Sequence, residues 1–363
     1  MSIKVLHAAD FHLDSPFAGL SGEQARLRRR ESRELPGRLA DYVNEQEVDV
    51  VLLAGDLFDG ATVYRDTLDQ LTEALDRMAA RVFIAPGNHD CYTLRSPYAS
   101  VSWPGNVHVF RTAEIERVEL PELSCAVYGA AFTDAAQETG LLEGFSAPED
   151  GLTRLMVLHG DLNGAEARYN PITREQIAAS GLDYLALGHS HSFSGVQRAG
   201  RTAYAYAGCP EGRGFDETGE KGFLCGAVEP GRAELSFVPF ALRHYAILTV
   251  DTTGRKPAEA LRSAMPETAA RDLCRVIFTG ETDEEGVDLQ ALGDQFSGEF
   301  FSLELRDETR IRQDVWERAR EDSLRGLFLR ELQKQYENAS EEERPEIERA
   351  VRFGLAALDR RDR

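Results

Sequence analysis

Ile3-Lys4-Val5-Leu6-His7-Ala8-Ala9-Asp10-Phe11-His12 is a short apolar run that stops on an aspartate and a histidine two residues apart. Four later runs stop in the same manner: Val48 to Ala54 before Gly55-Asp56-Leu57-Phe58-Asp59, Val82 to Ala85 before Gly87-Asn88-His89-Asp90, Leu155 to Leu158 before His159-Gly160-Asp161, and Tyr184 to Leu187 before Gly188-His189-Ser190-His191. Each run is rich in Val, Ile and Leu and reads as a buried strand whose far end carries polar groups. In open α/β sheets, ligand sites form beyond the carboxyl ends of the strands. One aspartate or histidine at a strand end is usually a turn or cap residue. Five ends of the same kind point to a two-metal phosphoesterase site. Of the eight histidines, five fall in these motifs, while His7, His108 and His244 read as ordinary strand or loop residues.

At 363 residues the chain has room for two domains and an appendage. No segment approaches the apolar span of a membrane helix, and the first residues run straight into a strand with no signal peptide, so the expectation is a cytoplasmic chain with no membrane attachment. The five cysteines, Cys91, Cys125, Cys209, Cys225 and Cys274, are odd in number and scattered, which argues for reduced thiols rather than a disulfide frame or zinc knuckle. The net charge of −21 argues against a simple nucleic-acid binder, whose affinity comes largely from Lys and Arg on phosphates. A DNA substrate therefore needs local basic contacts or a partner's. Arg26, Arg28, Arg29, Arg30, Arg33 and Arg38 offer such a patch, but Glu23, Glu31 and Glu34 interleave with them, and an ion-paired helix face explains them equally well.

Strands alternate with helices expected at about 21–46, 64–80 and 173–179, giving a layered α/β fold. Val107 to Phe110, Glu114 to Leu120 and Ser124 to Ala130 read as consecutive strands, so a mixed β-sandwich flanked by helices fits better than a purely parallel sheet. The catalytic domain is placed at 1–240. A strand-helix-strand-helix-strand pattern at 241–308 reads as a small α/β capping domain. Residues 309–363 read as a helical C-terminal segment, with Pro345 at the first turn of its last helix, either folded onto the chain's own surface or binding a partner.

Two cations about 3.5–4 Å apart can clamp the attacking and leaving oxygens of a displacement at phosphorus. Such a site needs a carboxylate that bridges, and Asp56 behind the small Gly55 is the natural choice. Asp10 and His12 would complete one metal with His191, and Asn88, His159 and His189 the other. Carboxylate, amide oxygen and imidazole together suit Mn²⁺ or Fe²⁺ and tolerate Zn²⁺. A metal-activated hydroxide would be the nucleophile, since a bound metal lowers the pKa of water from ~15.7 towards ~7. His89, following a ligand directly, would stabilise phosphoryl oxygens and protonate the leaving alkoxide, with Asp59 fixing its tautomer. Asp14, Asp90 and Asp161 read as turn or supporting residues.

Asp10-Phe11-His12, Gly55 to Asp59, Gly87 to Asp90, His159 to Asp161 and Gly188 to His191 together resemble the calcineurin-like metallophosphoesterase superfamily. Phe11 to Phe17, Cys209-Pro210-Glu211-Gly212-Arg213-Gly214-Phe215 and Gly219-Glu220-Lys221-Gly222 are similar to the bacterial DNA repair exonucleases of the SbcD and YhaO type. The resemblance implies a metallophosphoesterase fold and a manganese-dependent DNA exonuclease or endonuclease subunit. It also implies an SMC-like coiled-coil ATPase as partner, gripping the C-terminal helices; a second copy of the chain is a further candidate partner. Two other readings compete: a small-molecule phosphodiesterase or phosphatase on the same metal core, favoured by the acidic surface, and a metal-stabilised docking subunit for the ATPase, favoured by the amphipathic tail.

Overall fold

The computed structural model describes residues 2–60, 62–162, 168–283 and 285–359. Residues 1, 61 and 163–167 of the expected catalytic domain, 284 of the expected cap and 360–363 of the expected helical segment lie outside the described residues. The chain divides into two compact units, Met1–His244 and Tyr245–Arg363.

In the first unit the order is β1 (Ile3–Ala8), α1 (Gly22–Glu45), β2 (Val50–Leu53), α2 (Arg65–Asp76), β3 (Arg81–Ile84), the single turn α3 (Pro97–Ser100), β4 (Val107–Val109), β5 (Glu116–Leu120), β6 (Cys125–Gly129), β7 (Thr153–His159), α4 (Arg174–Ala179), β8 (Tyr184–Gly188), β9 (Gln197–Ala199), β10 (Thr202–Tyr206), β11 (Gly222–Glu229) and β12 (Arg232–Pro239). Among the described residues these form two six-stranded sheets, β12-β11-β1-β2-β3-β4 and β5-β6-β7-β8-β10-β9. β1 to β4 run parallel in the first, and β6, β7, β8 and β10 in the second. Parallel pairing puts the carboxyl ends of β1, β2 and β3 on one rim, and those of β7 and β8 on another.

The sheets face each other across Val5, Leu52, Phe83 and Phe110 from one and Val127, Val157, Ala186 and Ala205 from the other. Their outer faces are covered too. Leu35, Leu39 and Val43 of α1 and Leu71 and Leu75 of α2 pack on Leu6, Val51 and Val82, while Ile177 of α4 packs with Met156, Leu158 and Leu185. This double burial explains why the central strands are continuously apolar rather than alternating. The chain crosses from first sheet to second between β4 and β5, a step that the run of three short strands did not reveal.

A capping box starts α1: the Gln24 N–H donates to the Ser21 hydroxyl (3.4 Å) and the Ser21 N–H to Gln24 Oε1 (3.3 Å). The arginines of α1 are largely engaged. Arg28 is fully buried against Glu31 (2.8 Å) and Glu211 (2.9 Å), Arg33 lies 3.3 Å from Asp14, and Arg30 lies 3.8 Å from Glu34.

The second unit contains β13 (Tyr245–Asp251), α5 (Pro257–Ala264), β14 (Leu273–Thr279), β15 (Glu281–Thr282), α6 (Leu289–Phe296), β16 (Ser302–Asp307), β17 (Arg310–Ile311), α7 (Gln313–Glu317), α8 (Leu324–Asn338) and α9 (Arg344–Asp359). β13, β14 and β16 form a parallel sheet, its strands joined through α5 and α6, which bury Leu261 and Phe296 against Val276 and Phe278. Pro345 sits in the first turn of α9, as expected. Arg352 of α9 donates to Asp307 Oδ2 (2.8 Å) and to the Thr309 hydroxyl (2.8 Å), joining that helix to the sheet. Among the described residues no helix is long and apolar enough to cross a membrane.

Candidate metal centre

Beyond the ends of β1 and β2, two loops continue side by side. The Asp10 N–H donates to Gly55 O (3.0 Å), the His12 N–H to Asp56 O (2.9 Å) and the Leu13 N–H to Leu57 O (2.8 Å). Asp10, His12, Asp56 and His189 take positive φ values of 56°, 44°, 50° and 113°. Such backbone costs a non-glycine residue about 1–3 kcal/mol and persists where neighbours over-determine it. Two glycines permit the close approach of the remaining loops. A Cβ on Gly55, itself at φ +87°, would lie 2.6 Å from His159 Nδ1, and one on Gly87 would lie 2.3 Å from Asp56 Oδ1.

Asp90 joins the second and third loops by accepting from the N–H groups of Gly87 (2.8 Å) and Phe58 (3.1 Å) and from the Tyr98 hydroxyl (2.6 Å). Burial, aided by the neighbouring Asp56, pushes its carboxyl up to about 6. The fifth loop reaches the first through the His189 N–H, which donates to Asp10 Oδ1 (3.0 Å).

The side chains converge around Asp56. Its Oδ2 lies 3.7 Å from His12 Nε2 on one side and 3.5 Å from His159 Nε2 on the other. Ligand atoms of Asp10, His12 and His191 lie within 4.8 Å of one another, as do those of Asp10, Asp56 and His159, and those of His12, Asp59 and His89. Two donors on one first-row ion, each about 2.0–2.2 Å from it, are at most about 4.4 Å apart, so groups gathered within 4.8 Å stand close to the spacing that metal binding needs. Asn88 Oδ1 stands 2.9 Å from His159 Nε2. His189 lies outside the three groups, with its ring edge-on to His159 at 5.3 Å between centroids. Asp10, expected to serve one metal, falls within reach of both imidazole sets.

The protonation pattern fits bound cations. His12 Nδ1 lies 3.1 Å from Asp59 Oδ1 and His191 Nδ1 2.6 Å from Glu217 Oε1, so both Nδ1 atoms carry protons and both Nε2 atoms are left as acceptors. Those two acceptors face each other at 3.2 Å. His159 repeats the arrangement, its Nδ1–H donating to Ala54 O (3.0 Å) while Nε2 confronts the Asn88 carbonyl. Lone pairs opposed at such distances beside buried carboxylates repel unless a cation, a proton or a metal ion, is shared between them. The residues present therefore fit a dinuclear metal centre.

Burial pushes the Asp10 carboxyl up to about 6. Burial also acts on Asp56, but the His159 and His12 imidazoles and the His89 N–H hold it below the ordinary carboxylate range. His189 is lowered to about 4 by burial and by His159. Burial would lower His191 as well, yet its hydrogen bond to Glu217 raises it. Glu217, against its own burial, is drawn down to about 2 by His191 and Arg213.

His89 is exposed at the mouth of the site, its ring 4.8 Å from that of His12. One pairing differs from expectation. Asp59, assigned to orient His89, makes its hydrogen bond to His12 and accepts a second from Arg213 Nη1 (2.9 Å). The motif spacing could not distinguish two histidines so close to one carboxylate. Arg213, Glu217 and Lys221, whose ammonium donates to His191 O (2.9 Å), were not assigned roles from sequence. They come from the Cys209–Gly222 stretch, which carries carboxylates but no histidine and none of the Asp-His or Gly-Asp patterns of the five strand ends.

The calcineurin-like phosphoesterase family matches residues 3–193. The metallophosphoesterase YhaO of Bacillus subtilis (strain 168) is 33% identical over 279 residues, covering 73% of this chain and 67% of its own length. The SbcD component of the nuclease SbcCD, from the same organism, is 24% identical over 258 residues, covering 60% of this chain and 64% of its own length. The family match spans all five ligand-bearing strand ends that meet around Asp56, and the chain belongs to the calcineurin-like phosphoesterases as a metal-dependent hydrolase.

Proposed function

We propose that the chain is a two-metal phosphodiesterase acting on DNA, as the nuclease subunit of a repair complex. The observation carrying the two-metal part is the position of Asp56 Oδ2, between His12 Nε2 at 3.7 Å and His159 Nε2 at 3.5 Å. The DNA part is supported by the likeness to a nuclease component. Bound divalent ions, Mn²⁺ first and Fe²⁺ or Zn²⁺ as alternatives, supply Lewis acidity and a water of lowered pKa. Asp10, His12 and His191 would hold one ion and Asn88, His159 and His189 the other, with Asp56 between. His89, exposed beside them, would protonate the leaving oxygen.

The C-terminal helices are the proposed contact for an SMC-like ATPase in the cytoplasm. Leu324 and Leu327 of α8 and Phe353 of α9 are exposed there and support that reading.

A second reading, a small-molecule phosphodiesterase or phosphatase, is favoured by the net charge of −21, which repels nucleic acid. The deciding experiment treats chelator-stripped chain with Mn²⁺ and competes linear duplex DNA against bis(4-nitrophenyl) phosphate, cyclic nucleotides and phosphomonoesters. Cleavage of DNA that the panel inhibits only weakly supports the nuclease. Efficient turnover of one small ester with indifference to DNA refutes it.

A further inference from the structure

We propose that Arg213 is a positioning residue that ties together the two imidazoles of one metal position and leaves the other position to be held more weakly. The inference rests on the two-ion reading. It starts from how each imidazole is supported behind its metal-facing nitrogen.

His12 and His191 both turn Nε2 inward, and both rest Nδ1–H on a carboxylate, Asp59 at 3.1 Å and Glu217 at 2.6 Å. Arg213 spans those two carboxylates. Its Nη1 donates to Asp59 Oδ1 (2.9 Å), its Nη2 to Glu217 Oε1 (2.8 Å) and its own backbone N–H to Glu217 Oε2 (2.7 Å). One planar guanidinium thus fixes the separation of two carboxylates, and through them the separation and tilt of two metal-facing nitrogens. A lysine, as a point charge on a flexible stem, has no equivalent fork. The loop bearing Arg213 is itself anchored, since Glu211 pairs with the fully buried Arg28 at 2.9 Å.

The opposite position is supported differently. His159 rests its Nδ1–H on the neutral Ala54 carbonyl, and its neighbour Asn88 is a neutral donor. A carboxylate behind an imidazole raises its basicity as a ligand, and loss of such support typically costs 10–100-fold in metal affinity. Asp10 and Asp56 lie within reach of both imidazole sets, so the support behind the imidazoles sets the difference: the His12-His191 position binds tightly, and the Asn88-His159 position exchanges its ion more readily.

The test titrates the chelator-stripped full chain with Mn²⁺ alone and reads the free aquo ion by electron paramagnetic resonance. Wild type takes up two equivalents of unequal affinity. Arg213→Ala and Glu217→Gln weaken the tighter equivalent by about 10–100-fold and leave the other within about twofold. Arg213→Lys, which keeps the charge and suits the case where the alanine variant misfolds, also weakens the tighter equivalent, but less. Arg232→Ala, which removes an exposed arginine paired with Glu234 and touches neither carboxylate behind the imidazoles, leaves both. Variants at Arg213 and Glu217 that weaken both equivalents alike or neither, or an Arg232→Ala chain with the same selective loss, overturn the inference while the two-ion reading stands. A wild-type chain that binds fewer than two equivalents sinks both.

Discussion

His7 lies in β1 at 0% exposure, its Nε2 3.1 Å from Leu187 O and its Nδ1 2.8 Å from the Tyr184 hydroxyl. The Leu187 carbonyl can only accept, so Nε2 carries the proton and Nδ1 accepts from Tyr184; the ring is satisfied as a neutral molecule and has no room for a second proton. Burial lowers it from 6.5 to about 3. The unfolded chain takes up a proton as pH falls through about 6.5, whereas the folded chain does not until about 3, so stability falls across that window and levels off below it. Between about pH 7.5 and about pH 5 the loss from this one residue is about 2 kcal/mol, from the ratio of unfolded to folded protonation. That is a large share of the ~5–15 kcal/mol of a typical domain. His7→Gln keeps one donor and one acceptor and has nothing to titrate. Urea unfolding at both pH values, followed by Trp103 fluorescence in a Trp316→Phe background with chelator present, should show the variant losing about 2 kcal/mol less on acidification than its parent. Equal acid slopes in the two chains would refute the buried-neutral assignment.

His89→Ala should lower kcat by about 10²–10⁴-fold while both Mn²⁺ equivalents remain, measured by turnover alongside metal titration. Gly188→Ala places a Cβ 1.8 Å from Ala54 O, a backbone atom that cannot move aside, so it should destabilise the first unit by more than the ~1–3 kcal/mol of ordinary overpacking and lower the thermal midpoint accordingly. Arg28→Met strands Glu211 beside the site loop and should cost about 3 kcal/mol in denaturant unfolding, reduced if Glu211→Gln is added in the same chain.

Much of the fold was legible because burial on both faces left continuous apolar runs, and because Ser21, Thr173 and Asp288 announce helix starts through their side-chain caps. α2 ends at Asp76 rather than near residue 80, since Met78 and Ala80 leave the helix to bury with the strands. The passage from β4 in one sheet to β5 in the other was not legible, because short strands read alike whichever sheet they join.

At the candidate metal centre, the side chains that the fold brings together were legible in the chain, since aspartate, asparagine and histidine at the ends of apolar strands are chemically distinctive and local. What those side chains lean on was not. Asp59 beneath His12, Glu217 beneath His191 and Arg213 across both are ordinary surface residue types whose partners lie up to 154 positions away in the case of Arg213 and Asp59. Hydrophobic periodicity and residue chemistry act over a few neighbours and so can be read in one dimension. Which carboxylate reaches which imidazole depends on ångström-scale distances between loops, and only the packing of the two sheets sets those.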